Sequence, residues 1–236
     1  MGPGKQRRVN DFGRAFAGSQ RQIQTYVNLR PVELSRKVLE VLSPPAQPNT
    51  KLRWVSPLAT EEFAESRDDE FLRALGLDGY IGDLREFWPE GGPFWDALGR
   101  LEGDSGGGIV LVEAKSHFLE LKSQCQAENL ESLGKIAKAF AETKEWLNVE
   151  QSCDWTKPYY QSANRYTLLY FFRKRAIEAW LVNVYFLNDP HFKNPAAPLT
   201  REEWKSAIED VARALGLAGR DVPYTGELFL EASEGY

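Results

Sequence analysis

Cysteine and histidine each occur only twice among the 236 residues, as Cys125, Cys153, His117 and His191. Two thiols are too few for a disulfide scaffold. The four side chains are also too scattered to surround a zinc ion, so any metal bound here is expected to be held by oxygen. Long apolar runs are missing as well. Ile109 to Val112 and Trp180 to Leu187 have the length of strands, far below the roughly 18 uncharged apolar residues a membrane helix needs. No apolar segment follows the basic N-terminus, so a secretory signal is not expected, and the reading is a cytoplasmic protein with no membrane partner.

What the chain does contain is an ordinary globular mixture, 42% apolar and 27% charged, which excludes disorder as the main state. The net charge of −5 argues against a protein that coats nucleic acid, but it hides an asymmetry. Residues 1–55 hold ten Lys/Arg against Asp11, Glu33 and Glu40, a balance of +7 that leaves −12 for the remainder. Ten acids and three arginines fall between Glu61 and Glu90, the pattern of a solvated helix face and loop. The basic arm could meet a polyanion locally or be merely solvated.

The spacing of Ile23, Tyr26, Val27, Val38, Leu39 and Leu42 predicts two short helices broken at Pro31, followed by a turn-rich connector and a strand over 52–56. Thr60 opens a further helix that would bury Phe63, Phe71, Leu72 and Leu75 and stop at Gly76, although Phe63 stands where a capping box needs an acid. Strands over 95–101 and 108–115, separated by a glycine-rich loop, read as an antiparallel hairpin. Helices are expected over 127–148 and 158–176, then a strand over 179–187. A helix capped by Thr200 and Glu203 and a short strand over 227–231 end the chain. The fold class expected is α/β, one domain over 51–236 preceded by an N-terminal helical extension over 1–50.

The loop Gly103 to Gly108 carries a Gly-Asp-Ser-Gly string like the nucleophile loop of trypsin-like proteases. Both histidines follow Ser105, however, and a turn explains the glycines, so Ser105 is read as a decoy. The loop precedes a strand and not a helix, which argues against a phosphate cradle. His117 and His191 read as loop or packing residues.

The informative segment is Ile109 to Lys115. Four apolar β-formers mark a strand buried on both faces, yet it ends in Glu113 and Lys115, which period two places on one face about 7 Å apart by strand rise. Asp96, at the start of the partner strand, would face Glu113 across an antiparallel ladder. Two carboxylates and a lysine therefore converge, unless they form only a semi-buried ion pair. Gln161, Asn164 and Arg165 share one face of an otherwise apolar helix.

At these residues the sequence resembles the PD-(D/E)XK nuclease superfamily, which carries an acid on one core strand and acid-x-Lys on the next. The stretch Trp88 to Leu98, the strand Leu111 to His117 and the segment Tyr159 to Arg165 are similar to a bacterial group of that superfamily, with the likeness running from about Gln20 to Leu215. The departure is Trp95, which stands where the superfamily has proline. The resemblance implies a restriction-endonuclease-like central mixed β-sheet flanked by helices. It also implies a nuclease that hydrolyses phosphodiester bonds, DNA being the expected substrate, with Mg²⁺ or Mn²⁺ as cofactor. Asp96, Glu113 and the Ala114 carbonyl would hold the metal. Lys115 would position water or stabilise charge on phosphorus, with Gln161 as a further catalytic group. Asn164 and Arg165 would bind substrate, unless they only pair with neighbouring groups. Glu62 and Glu65 are candidates for an extra helical acid. Lys122, Arg173, Lys174 and Arg175 are candidate phosphate contacts, and Trp88, Trp95 and Trp155 could stack on exposed bases. A homodimer or a protein partner is compatible with cutting two strands. The alternative is a catalytically idle protein of the same fold that binds nucleic acid or a protein partner.

Overall fold

The computed structural model describes residues 9–103, 106–191, 197, 198 and 200–233. Ser105, expected at the hairpin tip, lies outside them. The first two elements are α1 (Gly18–Leu29) and α2 (Pro31–Val41), parted at Arg30. Pro31 sits in the first turn of α2, where its missing N–H leaves no intrahelical bond unmade. Strand β1 (Lys51–Ser56) follows, then two short helices, α3 (Asp68–Ala74) and α4 (Ile81–Phe87). Next come β2 (Ala97–Gly103), β3 (Gly106–Lys115), α5 (Leu130–Trp146), α6 (Tyr160–Arg173), β4 (Ala179–Leu187), α7 (Arg201–Ala214) and β5 (Thr225–Glu231). No helix among the described residues is long and apolar enough to cross a membrane.

The strands form one mixed sheet in the order β1-β2-β3-β4-β5. The first three run antiparallel as a meander, whereas β3, β4 and β5 are parallel, which requires crossovers. Helices α5 and α6 make the first crossover and α7 the second.

Helices cover both faces of the sheet, which is why β3 and β4 read as continuous apolar runs and not as alternating ones. On one side Ile23, Tyr26, Val27, Leu34 and Val38 of α1 and α2 pack against Val110, Val112, Val182, Val184 and Phe186. On the other, α3 to α7 pack against Leu98, Ile109, Leu111, Leu181 and Tyr185. The helices before residue 50 are thus a layer of the sandwich and not an extension. Tyr26 Oη donates to the Glu231 carbonyl at 2.8 Å and the Gln22 side chain bonds both main-chain groups of Ser233, joining the two ends of the described chain.

The helix expected from Thr60 is reduced to a single 3₁₀ turn, Ala59–Glu61. Without an acid at position 63 the box is not closed, and Glu62 and Phe63 both turn left-handed (φ 53° and 55°), so the apolar run restarts on α3. Helix α4 was not foreseen, because a seven-residue helix offers too few turns for a periodic signal. The Thr200–Glu203 capping box forms as expected, with the Glu203 N–H donating to Thr200 Oγ1 at 3.2 Å.

The seat of α2 on the last strand is tight. A Cβ added at Gly226 would lie 2.6 Å from the Val41 carbonyl oxygen and 3.0 Å from Val41 Cγ2. Because the obstacle is largely main chain, Gly226→Ala should cost about 1–3 kcal/mol. Urea unfolding should show a lower midpoint, and an unchanged one would mean that α2 is not packed there.

Candidate active site

Side-chain alternation along β3 determines which residues meet. Val110, Val112 and Ala114 enter the α1/α2 core while Ile109 and Leu111 enter the other, so Glu113 and Lys115 face α6. The β2/β3 register pairs Ala97 with Val112, which brings Asp96, one residue before the strand, opposite Glu113. Asp96 is tied there by its Oδ2, which accepts from the Ala114 N–H at 2.7 Å. The parallel partner β4 sets Asn183 beside Glu113 and Tyr185 beside Lys115.

Glu113 is buried and pairs with two cations, Lys115 Nζ on one oxygen and Arg165 Nε on the other. Lys115 Nζ also donates to Gln161 Oε1 at 3.3 Å. Arg165 reaches the sheet from α6 and is 2% exposed. Its Nη1 donates to Asn164 Oδ1 at 3.1 Å and its Nη2 to the Phe94 carbonyl at 2.7 Å, and its guanidinium lies 4.6 Å from the Trp95 ring centroid. The loop after β3 holds the start of α6, since the Gln161 N–H donates to Ser123 Oγ at 2.8 Å.

These pairs divide the carboxylates into two kinds. Burial pushes the Glu113 carboxyl up, but Arg165 and Lys115 outweigh it and hold the group below the ordinary range. For Asp96, burial comes first among the causes that raise its carboxyl well above that range. The charges of Glu113 and Glu65 add to the rise, against the pull of Lys115 and the Ala114 amide. Burial lowers Lys115, yet Glu113 and Asp96 prevail and raise it, so the ammonium stays protonated.

The site opens into a cavity of about 880 Å³ lined by Asp96, Gln161, Asn164 and Arg165 together with Glu65, Ser123 and Phe94. Glu65 is thus the earlier acid that joins the site. It does so from an irregular segment between β1 and α3, not from a helix, and its carboxyl is raised by burial and by the charge of Glu113. Its Oε1 is buried without a hydrogen-bond partner. Glu62 is exposed and does not line that cavity. Asp96, Glu113 and Glu65 thus set three carboxylates against two committed cations, with one acid oxygen buried and lacking a hydrogen-bond partner. Among the described residues no three acid, histidine or cysteine side chains lie close enough together, as they stand, to hold a metal ion.

Several expectations are corrected. Trp88, Trp95 and Trp155 are all buried and belong to the core, so none is open to a base. Arg165 is spent on Glu113 and positions that carboxylate, so it presents no guanidinium to a phosphate. Arg173, Lys174 and Arg175 pair with Glu178, Glu142 and Asp83 at the far end of α6. His117 accepts from the Leu119 N–H at 3.1 Å, and His191 pairs with Asp189 at 2.9 Å, so both serve local structure. Phe94 and Ser123 were missed because main-chain contacts leave no mark on a sequence.

No protein-family model matches the chain, and no curated protein or solved structure matches it.

A carboxyl raised in the folded state opposes folding once the pH passes its unfolded value near 4, because the unfolded chain then ionises freely while the fold resists losing the proton. In metal-free protein at pH 7, Asp96→Asn should therefore raise the thermal midpoint, and the gain should vanish as the pH falls to about 4. A midpoint that drops at neutral pH would show that the carboxylate stabilises the fold.

Proposed function

We propose that the chain is a metal-dependent nuclease, with DNA as substrate and Mg²⁺ or Mn²⁺ as cofactor, on a restriction-endonuclease-like fold. The observation that carries this reading is the placement of Asp96 and Glu113 opposite each other on paired strands, with Lys115 bound to Glu113 and Asp96 lining the cavity in front of them. A central mixed sheet with helices on both faces is compatible with the fold the resemblance implies. So is a helix beside the acid-x-Lys strand that carries a glutamine, here Gln161 on α6.

Asp96, Glu113 and the Ala114 carbonyl would hold the cation, with Glu65 as an additional carboxylate. When bound, it would polarise the phosphate and acidify a water. The other roles belong to the chain itself. Arg165 fixes the orientation of Glu113 from a buried position, and Trp95 covers its guanidinium. Lys115 is kept protonated by Glu113 and Asp96, so it is a permanent point charge near the place where negative charge builds on phosphorus. Gln161 holds the ammonium from the helix side and borders the cavity, where its amide would orient water. A homodimer, or a protein partner, would supply a second site wherever two strands are cut.

One observation favours a second reading, a catalytically idle binding protein of the same fold: both Glu113 oxygens are taken by cations. The two readings separate on incubation with linear, circular and single-stranded DNA with and without Mn²⁺. Cleavage is expected with the metal, loss with EDTA and recovery on adding Mg²⁺. Lys115→Ala should lower the rate by about 10²–10³-fold while calorimetry still records Mn²⁺ binding. Cleavage that persists after thorough chelation would overturn the mechanism, because Asp96 and Glu113 would then repel the phosphate.

A further inference from the structure

The wall of the active-site cavity carries Glu65, Glu90, Asp96 and Glu128, and Arg165 is its one cation among the described residues. That guanidinium is already committed to Glu113. A polyanion gains little from such a wall, since affinity through phosphates comes from cations that replace counterions. A nucleic-acid substrate at this wall therefore needs a contact other than wall cations paired with its phosphates.

Phe94 offers that contact. It is 47% exposed at the rim, whereas the tryptophans around it are buried. The Arg67 guanidinium lies 4.6 Å from its ring centroid, covering part of the ring and leaving the rest to solvent. The main chain that carries the ring is also held in place. Asp68 accepts from the N–H groups of Gly91 and Gly92 at 3.0 and 2.8 Å, and a Cβ at Gly92 would lie 2.9 Å from Asp68 Oδ1. On the other side, the Phe94 carbonyl is held by the same Arg165 that orients Glu113. The loop Trp88 to Phe94 forms a ridge between the active-site cavity and a second cavity of about 630 Å³.

We infer that Phe94 is a stacking platform for an unpaired nucleobase, and that the substrate is a single strand or a frayed end. The inference rests on the nuclease reading and names its substrate class. A rigid aromatic face takes any base without regard to sequence and without needing charge. Inside a duplex both faces of a base are covered by its neighbours, so only an unpaired or terminal base can reach the ring. Because Arg165 ties the platform to Glu113, a stacked base brings its own phosphate to a set place relative to the carboxylates. Phe94 is thus a substrate-positioning residue.

The test uses the full chain with Lys115→Ala, which leaves the probe intact, and a twelve-nucleotide single strand carrying 2-aminopurine at either end, beside the matching blunt duplex. The parent should bind the single strand and quench its fluorescence. Phe94→Ala should raise the single-strand Kd about tenfold and abolish the quenching, with the duplex Kd changed less than twofold. Phe94→Trp should restore both. Phe94→Leu keeps the apolar bulk, so it should melt like the parent yet bind like the alanine variant. No single-strand binding by the parent, an unmoved Kd in Phe94→Ala, or equal weakening on the duplex would each overturn the platform. Failure of the nuclease reading shows separately, as wild-type protein that stacks the probe but never cuts it with Mn²⁺. Cleavage with KM for the single strand unaffected by Phe94→Ala would remove the platform alone.

Discussion

Glu113 is a carboxylate in the interior, and the site is built around keeping it charged. An isolated ionised carboxylate buried in protein costs several kcal/mol, and it persists only when it is paired and hydrogen-bonded. Lys115 arrives on the same strand two residues on, so the sheet supplies it at no cost in loop ordering. Arg165 has to come from α6, and it can reach Glu113 only if that helix lies flat against β3 and β4. The ion triad therefore ties the packing of α6 to the end of β3, and the Phe94 carbonyl extends the tie to the loop before β2.

Asp96 and Glu65 are the counterpart. They share the interior with Glu113 but lack a guanidinium or ammonium of their own, so burial and mutual repulsion raise both. A fold selected for stability alone would put neutral side chains at these positions. Carboxyl groups buried at a cost beside a cavity mark the place as a candidate functional site. Lys115 stands between the two kinds of acid, drawn up by both Glu113 and Asp96. This lysine therefore keeps its charge through the neutral pH range.

The strand β3 with Glu113 and Lys115 was legible because period two is a local property of any strand, and because Ile109 to Val112 announce burial on both faces. The opposition of Asp96 and Glu113 was legible through the hairpin, whose glycine-rich turn leaves an antiparallel register as the natural pairing. The same reasoning failed for the tryptophans. Trp88 and Trp95 lie in a loop of glycines and prolines, and loop composition says nothing of which rings face inward. It failed for the first fifty residues too, since amphipathic helices look alike whether they cover a sheet or stand apart from it.

The sequence by itself determined what is local: strand and helix periods, the break at Pro31, the Thr200 cap and the pairing of acid and lysine at a strand end. These depend on residues within a turn or a pleat of each other. Only the tertiary structure decided that Arg165 belongs to Glu113, 52 residues away in the chain, and not to a ligand. It also decided that Glu65, not Glu62, joins the cavity, and that Phe94 stays open while Trp95 beside it is sealed. The physical reason is common to the three cases. Each was set by which surfaces meet when α6, the sheet and the loop before β2 pack, and burial, unlike periodicity, is a property of the partner as much as of the residue.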